Sequence, residues 1–334
     1  MDFDIRHLVT PYKLGRPVLT GSGIPGTFDE RAVDVSVPFE HNGRFYMTYV
    51  GFDGIGYQTG LAVSDDLINW EKLGVILARG SHRDWDSVGM ACTTVLAENN
   101  LFGPRKLKKF NGRYWLSYHS YPGEGYETGS AEIGIAWTED ESLMSWNCLD
   151  EPVYSWRDGE SWEHGGLYKS WIIEHDGTFY MYYNAKNNPD GGWIEQTGVV
   201  YSKDMLHWER EKTNPILPVT PGAWDSIFAS DPVVFRDNIK NQWVMYYYGL
   251  GDCSACNSIA LSDDLIHWEK YPLPILSIGR QGTIDSTYAH KPGIIWHDGA
   301  LYQFYCACRP YRDGDPARNG GEFRCISVAR SKPW

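Results

Sequence analysis

The chain is 334 residues long, 42% hydrophobic, 15% aromatic and 22% charged, which is ordinary globular material without a low-complexity tract or a charged tail. Its formal net charge of −13 excludes nucleic acid and an anionic membrane surface as partners, because the long-range field has the wrong sign. No apolar run approaches the ~20 residues of a membrane-spanning helix, and Met1-Asp2-Phe3-Asp4-Ile5-Arg6-His7 lacks the basic and apolar regions of a secretory leader. The chain as given is therefore expected to be cytoplasmic, or secreted or periplasmic if a leader has been removed.

In chain order, Arg16-Pro17-Val18-Leu19 is the first strand-like segment, and a hairpin follows, Val35 to Phe39 and Phe45 to Val50 around Asn42-Gly43. Asn-Gly and Asp-Gly between β-branched and aromatic runs signal a tight turn whose central residues need positive φ. The same hairpin recurs around Asp176-Gly177 and Asp298-Gly299. Third strands follow at Thr59 to Val63, Glu132 to Ala136, Thr197 to Tyr201 and Ser258 to Leu261. Each leads into a phrase of one type: Ser64-Asp65-Asp66-Leu67-Ile68-Asn69-Trp70-Glu71, Ser202 to Glu209 and Ser262 to Glu269, with a looser copy from Thr138 to Trp146. Short outer strands are expected at Val75 to Leu77, Pro152 to Tyr154, Pro215 to Leu217 and Pro274 to Leu276, where proline suits an edge. A truncated phrase, Arg330-Ser331-Lys332-Pro333-Trp334, ends the chain.

A repeat of roughly 60 to 76 residues across nearly the whole length predicts one domain, residues 1–334, rather than two. The expected fold class is all-β: a five-bladed β-propeller, four antiparallel strands per blade, its ring closed by Arg16 to Leu19 completing the last blade. The seven cysteines are scattered and read as reduced thiols; Cys253-Ser254-Ala255-Cys256 is only half a zinc spacing, and no metal or cofactor is expected.

First strands line the channel of a propeller, so residues at their beginnings should meet at one mouth. Counting back from the hairpins gives Asp34, Pro104 to Lys106, Tyr168-Lys169, Asp231 and His290-Lys291. The loops add Gln58, Glu124, Glu127, Trp193, Glu195, Gln196 and Asp252. Asp34 and Asp231 sit in apolar strand company where charge usually has a purpose. Trp85-Asp86, Trp162-Glu163, Trp224-Asp225, Ile284-Asp285 and Phe28-Asp29 recur in every blade and read as caps, although Glu163 departs by its length and its neighbour His164. Arg105, Lys169 and Lys291 either pair with these acids or recognise an anionic sugar or phosphate. Two or more carboxyl groups at such a mouth suit glycosidic cleavage, one protonating the leaving oxygen while another activates water or attacks the sugar. The 15 Trp and 22 Tyr could stack on sugar rings, Trp193 among them.

The Gly-Leu-Ala-Val-Ser-Asp-Asp-Leu phrase at Gly60, the blade-one aspartate and the pairs Asp231-Pro232 and Lys291-Pro292 resemble the five-bladed propeller glycosidases. These comprise family 43, the invertase-like enzymes, the mannoside phosphorylases and the anhydro-galactosidases. The resemblance implies Asp34 as base or nucleophile and Asp231 as the carboxylate that orients substrate and tunes the acid. It implies Glu163 or His290 as the acid, on family 43 and anhydro-galactosidase patterns respectively. The invertase-like motifs Asn-Asp-Pro, Arg-Asp-Pro and Glu-Cys are absent, which argues against a retaining fructosidase, and Gly103-Pro104-Arg105-Lys106 lacks the acid of the mannoside phosphorylases. The expectation is an exo-acting, inverting glycoside hydrolase on an oligosaccharide, with Gln58, Arg105, Glu127, Lys169, Trp193 and Lys291 binding substrate. A phosphorylase and a non-catalytic carbohydrate-binding propeller are the alternatives.

Overall fold

Twenty-one strands run through the residues that the computed structural model describes, 4–80, 84–189, 191–251 and 254–334; Asp252 and Cys253 lie outside the described residues. Two short N-terminal strands, β1 (Tyr12–Lys13) and β2 (Leu19–Thr20), precede five antiparallel groups. The first is β3 (Ala32–His41), β4 (Arg44–Phe52), β5 (Tyr57–Ser64) and β6 (Glu71–Leu77), and the second is β7 (Ala91–Val95), β8 (Tyr114–Ser120), β9 (Glu132–Thr138) and β10 (Asn147–Cys148). The third is β11 (Gly166–His175), β12 (Thr178–Lys186), β13 (Glu195–Ser202) and β14 (Glu209–Arg210). The fourth is β15 (Phe228–Asp237), β16 (Gln242–Leu250), β17 (Cys256–Ser262) and β18 (Glu269–Lys270); the last is β19 (Tyr288–His297), β20 (Ala300–Pro310) and β21 (Glu322–Arg330). A parallel bridge between Glu195 and Phe228 joins the third and fourth groups, so the groups form four sheets among the described residues, each of them open. First strands touch in sequence, β3 to β7, β7 to β11, β11 to β15, β15 to β19, and β19 back to β3.

The N-terminal strands pair with β21, Tyr12 opposite Arg330 and Leu19 opposite Ile326. The expected segment Arg16 to Leu19 is thus only the second half of this outer strand. Val75 to Leu77 lies within β6 and pairs with β5 as expected, but the other three expected outer strands behave differently: Tyr154, Leu217 and Leu276 each make an isolated bridge to the third strand, and regular pairing comes earlier, at β10, β14 and β18. Pro152, Pro215 and Pro274, which lack the amide donor, lie between the two halves.

The repeated phrase folds identically in its three close copies, at Ser64, Ser202 and Ser262. Ser64 Oγ accepts from the amides of Asp66 and Leu67, Asp66 Oδ1 from those of Ile68 and Asn69, and Trp70 Nε1 donates to Leu67 O. Leu67, Leu143, Met205 and Leu265 all take positive φ at the same place. Third-strand glycines admit the aromatic layer: a Cβ at Gly198 would lie 2.7 Å from the Tyr183 ring and 2.9 Å from Trp162.

One sequence expectation fails in the second group. Its first strand is Ala91–Val95, not a stretch beginning at Pro104 to Lys106, because the Asn111-Gly112 turn belongs to a small loop closed by Phe110 and Arg113. Between the strands the chain makes an excursion that bridges Glu40 to Lys106 and Asn100 to Arg236, at the far ends of β3 and β15.

Candidate active site

The first strands share a distortion near their beginnings. The register slips after Asp34, Cys92, Tyr168, Ser230 and His290, and the next residue has positive φ in four of them: Val35 (35°), Lys169 (50°), Asp231 (54°) and Lys291 (59°). Non-glycine residues take this conformation rarely, and for a β-branched valine it is strained. The bulges turn side chains of neighbouring strands toward one another at a single end of the first strands.

Asp34, buried, receives Lys291 Nζ at 2.7 Å, Arg324 Nη1 at 2.9 Å and Tyr126 Oη at 3.3 Å. Burial alone would raise its carboxyl, but Lys291, Arg324 and Lys169 outweigh burial and hold it well below the usual carboxylate range. Glu127, on the loop between β8 and β9, lies 3.6 Å from Lys186 and 3.7 Å from Lys291. Against its burial, Lys186, Lys291 and Lys169 likewise hold it far below. Its side chain remains 20% exposed, against 2% for Asp34.

Glu195, at the start of β13, accepts from Asn184 Nδ2 (3.1 Å), Trp193 Nε1 (2.9 Å) and Ser230 Oγ (2.7 Å), with Lys186 at 3.9 Å. Ser230 Oγ also lies 3.1 Å from Asp231. Asp231 differs from Asp34 and Glu127: burial raises it to about 6, Lys169 and Lys291 pull it down, and the Glu195 charge pushes it up. Tyr121, Tyr168, Tyr248 and Lys169 help to wall a small cavity of about 10 Å³ shared by Glu127, Glu195 and Asp231. Trp193 lies near-parallel to Phe228 with Lys186 over its ring, partly exposed at the rim of this cavity.

The structure therefore brings together Asp34, Glu127, Lys169, Trp193, Asp231, His290 and Lys291, and leaves three expected residues elsewhere. Glu163 is tied to Arg210, Tyr183 Oη (2.6 Å) and Tyr154 Oη (3.3 Å). The same lock recurs with Asp225, Lys270 and Tyr247, with Asp285, Lys13 and Tyr305, and with Asp29 and Lys72. In the third group a longer acid meets a longer cation, so Glu163 is the repeat's cap and not the acid of the mouth. Arg105 stacks on Trp171 and Phe235 and donates to Pro38 O near the opposite end of the first strands, where burial lowers it to about 9. Gln58 is engaged with Asp53 and the Arg79 amide.

His290 reaches the mouth but in the wrong protonation state for an acid. Burial, then Lys291 and Arg324, push it down to about 3, and Nδ1 faces Cys306 O at 3.1 Å. His290, Cys306 and Cys308 also form a group whose ligand atoms lie within 4.8 Å of one another, with Arg324 Nη1 3.8 Å from Cys306 Sγ, a cation that opposes a metal there. Sequence reasoning missed Lys186, Arg324, Tyr126 and Ser230. Asn184 and Lys186 interrupt the aromatic run of β12, and Arg324 interrupts apolar β21, which is the signal they offered.

With this geometry in place, likenesses to known proteins become informative. The family described as "Glycosyl hydrolases family 32 N-terminal domain" matches residues 97–284. A 1,2-beta-oligomannan phosphorylase of Thermoanaerobacter sp. (strain X514) is 26% identical over 255 residues, covering 72% of this chain and 71% of that protein. Among solved structures, one described as a BT0996 RGII complex is 28% identical, with a TM-score of 0.82 over 98% of this chain and 94% of its own. Another, described as "Glycoside hydrolase", is 29% identical with a TM-score of 0.81 over 98% and 93%.

Proposed function

The chain belongs to the glycosyl hydrolases family 32 N-terminal domain family and is a glycosidase, and from that premise we propose that Asp231 and Glu127 divide the acid and base work of glycosidic cleavage. The observation that carries this is the contrast between them: Asp231 is raised to about 6 and Glu127 is held ionised at the edge of one cavity. Environments that push two carboxyl groups apart assign their roles. Asp231 gives its proton to the glycosidic oxygen as that C–O bond breaks, and Glu127 takes a proton from the water whose oxygen bonds to the anomeric carbon. Asp34, the base expected from sequence, has both oxygens occupied and serves here to hold Lys291 and Arg324 in place.

We read the five antiparallel groups as the blades of a propeller closed by residues 12–20, a reading supported by the cyclic contacts of the first strands. The cavity, about 10 Å³, has no room for a glycan to run through it, which supports attack at a chain end and hence exo action. Inversion is the proposed outcome of the Asp231–Glu127 pair. The closeness of Glu195 and Asp231 to one hydroxyl favours a second reading, retention with Glu195 as nucleophile, since retaining pairs lie about 5–5.5 Å apart. Likeness to the oligomannan phosphorylase supports phosphate in place of water as an alternative acceptor. Aryl glycosides screened with and without phosphate, with the first-formed anomer read by proton NMR, test all three: a retained anomer or a sugar 1-phosphate overturns inversion by hydrolysis.

A further inference from the structure

The mouth holds four carboxyl groups, Asp34, Glu127, Glu195 and Asp231, and four cations, Lys169, Lys186, Lys291 and Arg324. Three cations are placed: Lys186 between Glu127 and Glu195, Lys291 between Asp34 and Glu127, and Arg324 between Asp34 and Glu322. Lys169 is not. Its side chain lines the cavity shared by Glu127, Glu195 and Asp231, and among the described residues its ammonium makes no hydrogen bond and no ion pair. The residue is only 7% exposed and sits at a positive φ of 50°, so its backbone is held in an uncommon conformation at the place where the side chain enters the mouth. Buried cations are otherwise paired.

Glu322 on Arg324 adds a fifth acid to these four, so a proton on Asp231 leaves four ionised carboxylates against four cations, and within that balance Lys169 is the cation that no carboxylate engages. Resting on the glycosidase reading, we infer that Lys169 Nζ is the seat of a ligand oxyanion, either the carboxylate of an acidic sugar or inorganic phosphate, bound in the same state in which Asp231 is protonated. The two events reinforce each other. Lys169 is among the groups that hold Asp231 down, so an anion on Lys169 offsets that field and favours the protonated acid. The other groups that share the cavity with Asp231 are Lys291 from β19, Glu195 from β13, Tyr248 from β16, Lys186 and Asn184 from β12, Tyr168 from β11, and Tyr121 and Glu127 from the second group. Of these only Glu195 adds a further upward push on Asp231 among its leading influences.

The test is calorimetric titration of the wild-type chain with inorganic phosphate and, separately, with galacturonate against galactose, in two buffers of different ionisation enthalpy near pH 6.5. One of the two anions binds, galactose binds more weakly than galacturonate if the sugar carboxylate is the source, and binding takes up a proton. Lys169→Met weakens the anion at least tenfold, Lys169→Arg keeps it within about threefold, and Asp231→Asn abolishes the proton uptake. Phosphate binding accompanied by sugar 1-phosphate formation identifies the acceptor as the source; galacturonate binding identifies the glycan. Failure of both anions to bind, or equal binding by Lys169→Met, overturns the inference. If Lys169→Met does not fold, the proton uptake of the wild type decides: none overturns it. Anion binding through Lys169 in a chain that turns over no glycoside would instead sink the glycosidase assignment of Asp231 and Glu127 while leaving the seat intact.

Discussion

Two regions of this protein use the same three ingredients, carboxylate, cation and tyrosine, to opposite ends. In the repeated locks, Glu163, Asp225 and Asp285 each take one cation and at least one tyrosine hydroxyl. The arrangement repeats from group to group, and every member is spoken for. At the mouth, partners are shared across strands far apart in sequence: Lys291 serves Asp34 and Glu127, Lys186 serves Glu127 and Glu195, and one hydroxyl joins Glu195 to Asp231. The backbone bulge repeats there but the side-chain pairings do not, and Lys169 is left over. Repetition marks the groups that hold the fold, and departure from it marks those available for chemistry.

The comparison breaks most visibly at Asp231. Asp231→Asn should lower kcat/KM about 10²–10⁴-fold on glycosides with poor leaving groups, with much less loss on activated aryl glycosides, which need no proton. A uniform loss across leaving groups would remove Asp231 from the acid role. Asp34→Asn should act through stability, because it strips the counter-charge from buried Lys291 and Arg324. Urea unfolding should show a loss of about 3–5 kcal/mol, and an unchanged midpoint would mean those cations have other support.

Glu163→Gln tests the other side of the comparison. It should cost about 1–3 kcal/mol in stability by leaving Arg210 without its anion, yet leave kcat within about twofold; a large loss of kcat with normal stability would restore Glu163 to the chemistry. The smallest effect is on pH. Because Asp231 must be protonated to act, kcat/KM should fall as pH rises past about 6, and Glu195→Gln, by removing a like charge, should move that descent to lower pH. A shift upward would show that Glu195 does not push Asp231 up.

The turns and strand order were legible because their signals are local. Asn42-Gly43, Asp176-Gly177 and Asp298-Gly299 each sit at the expected hairpin, and the Ser-Asp-Asp-Leu phrase closes on itself within six residues. Asp34, Lys169, Asp231 and Lys291 were found by the same register. Arg105 was misplaced because a local turn at Asn111-Gly112 imitated the hairpin of the repeat, and Glu163 drew notice by its length and its neighbour His164 while Arg210, the cation that this length fits, lies 47 residues away in sequence. Lys186 and Arg324 escaped because their meaning lies wholly in what they touch across the channel, and no short-range pattern encodes that.

Strand β21 has a consequence for how the protein is made. Its outer side receives β1 and β2, more than 300 residues earlier in the chain, and it also carries Arg324, which grips Asp34 of β3. At about 5–20 residues per second of synthesis, the N-terminal segment waits on the order of tens of seconds for its partner strand. When that strand arrives, the last sheet acquires its outer edge and the mouth acquires its fourth cation together. A chain cut short before Glu322 would lack both, so an unfinished molecule is also an unarmed one.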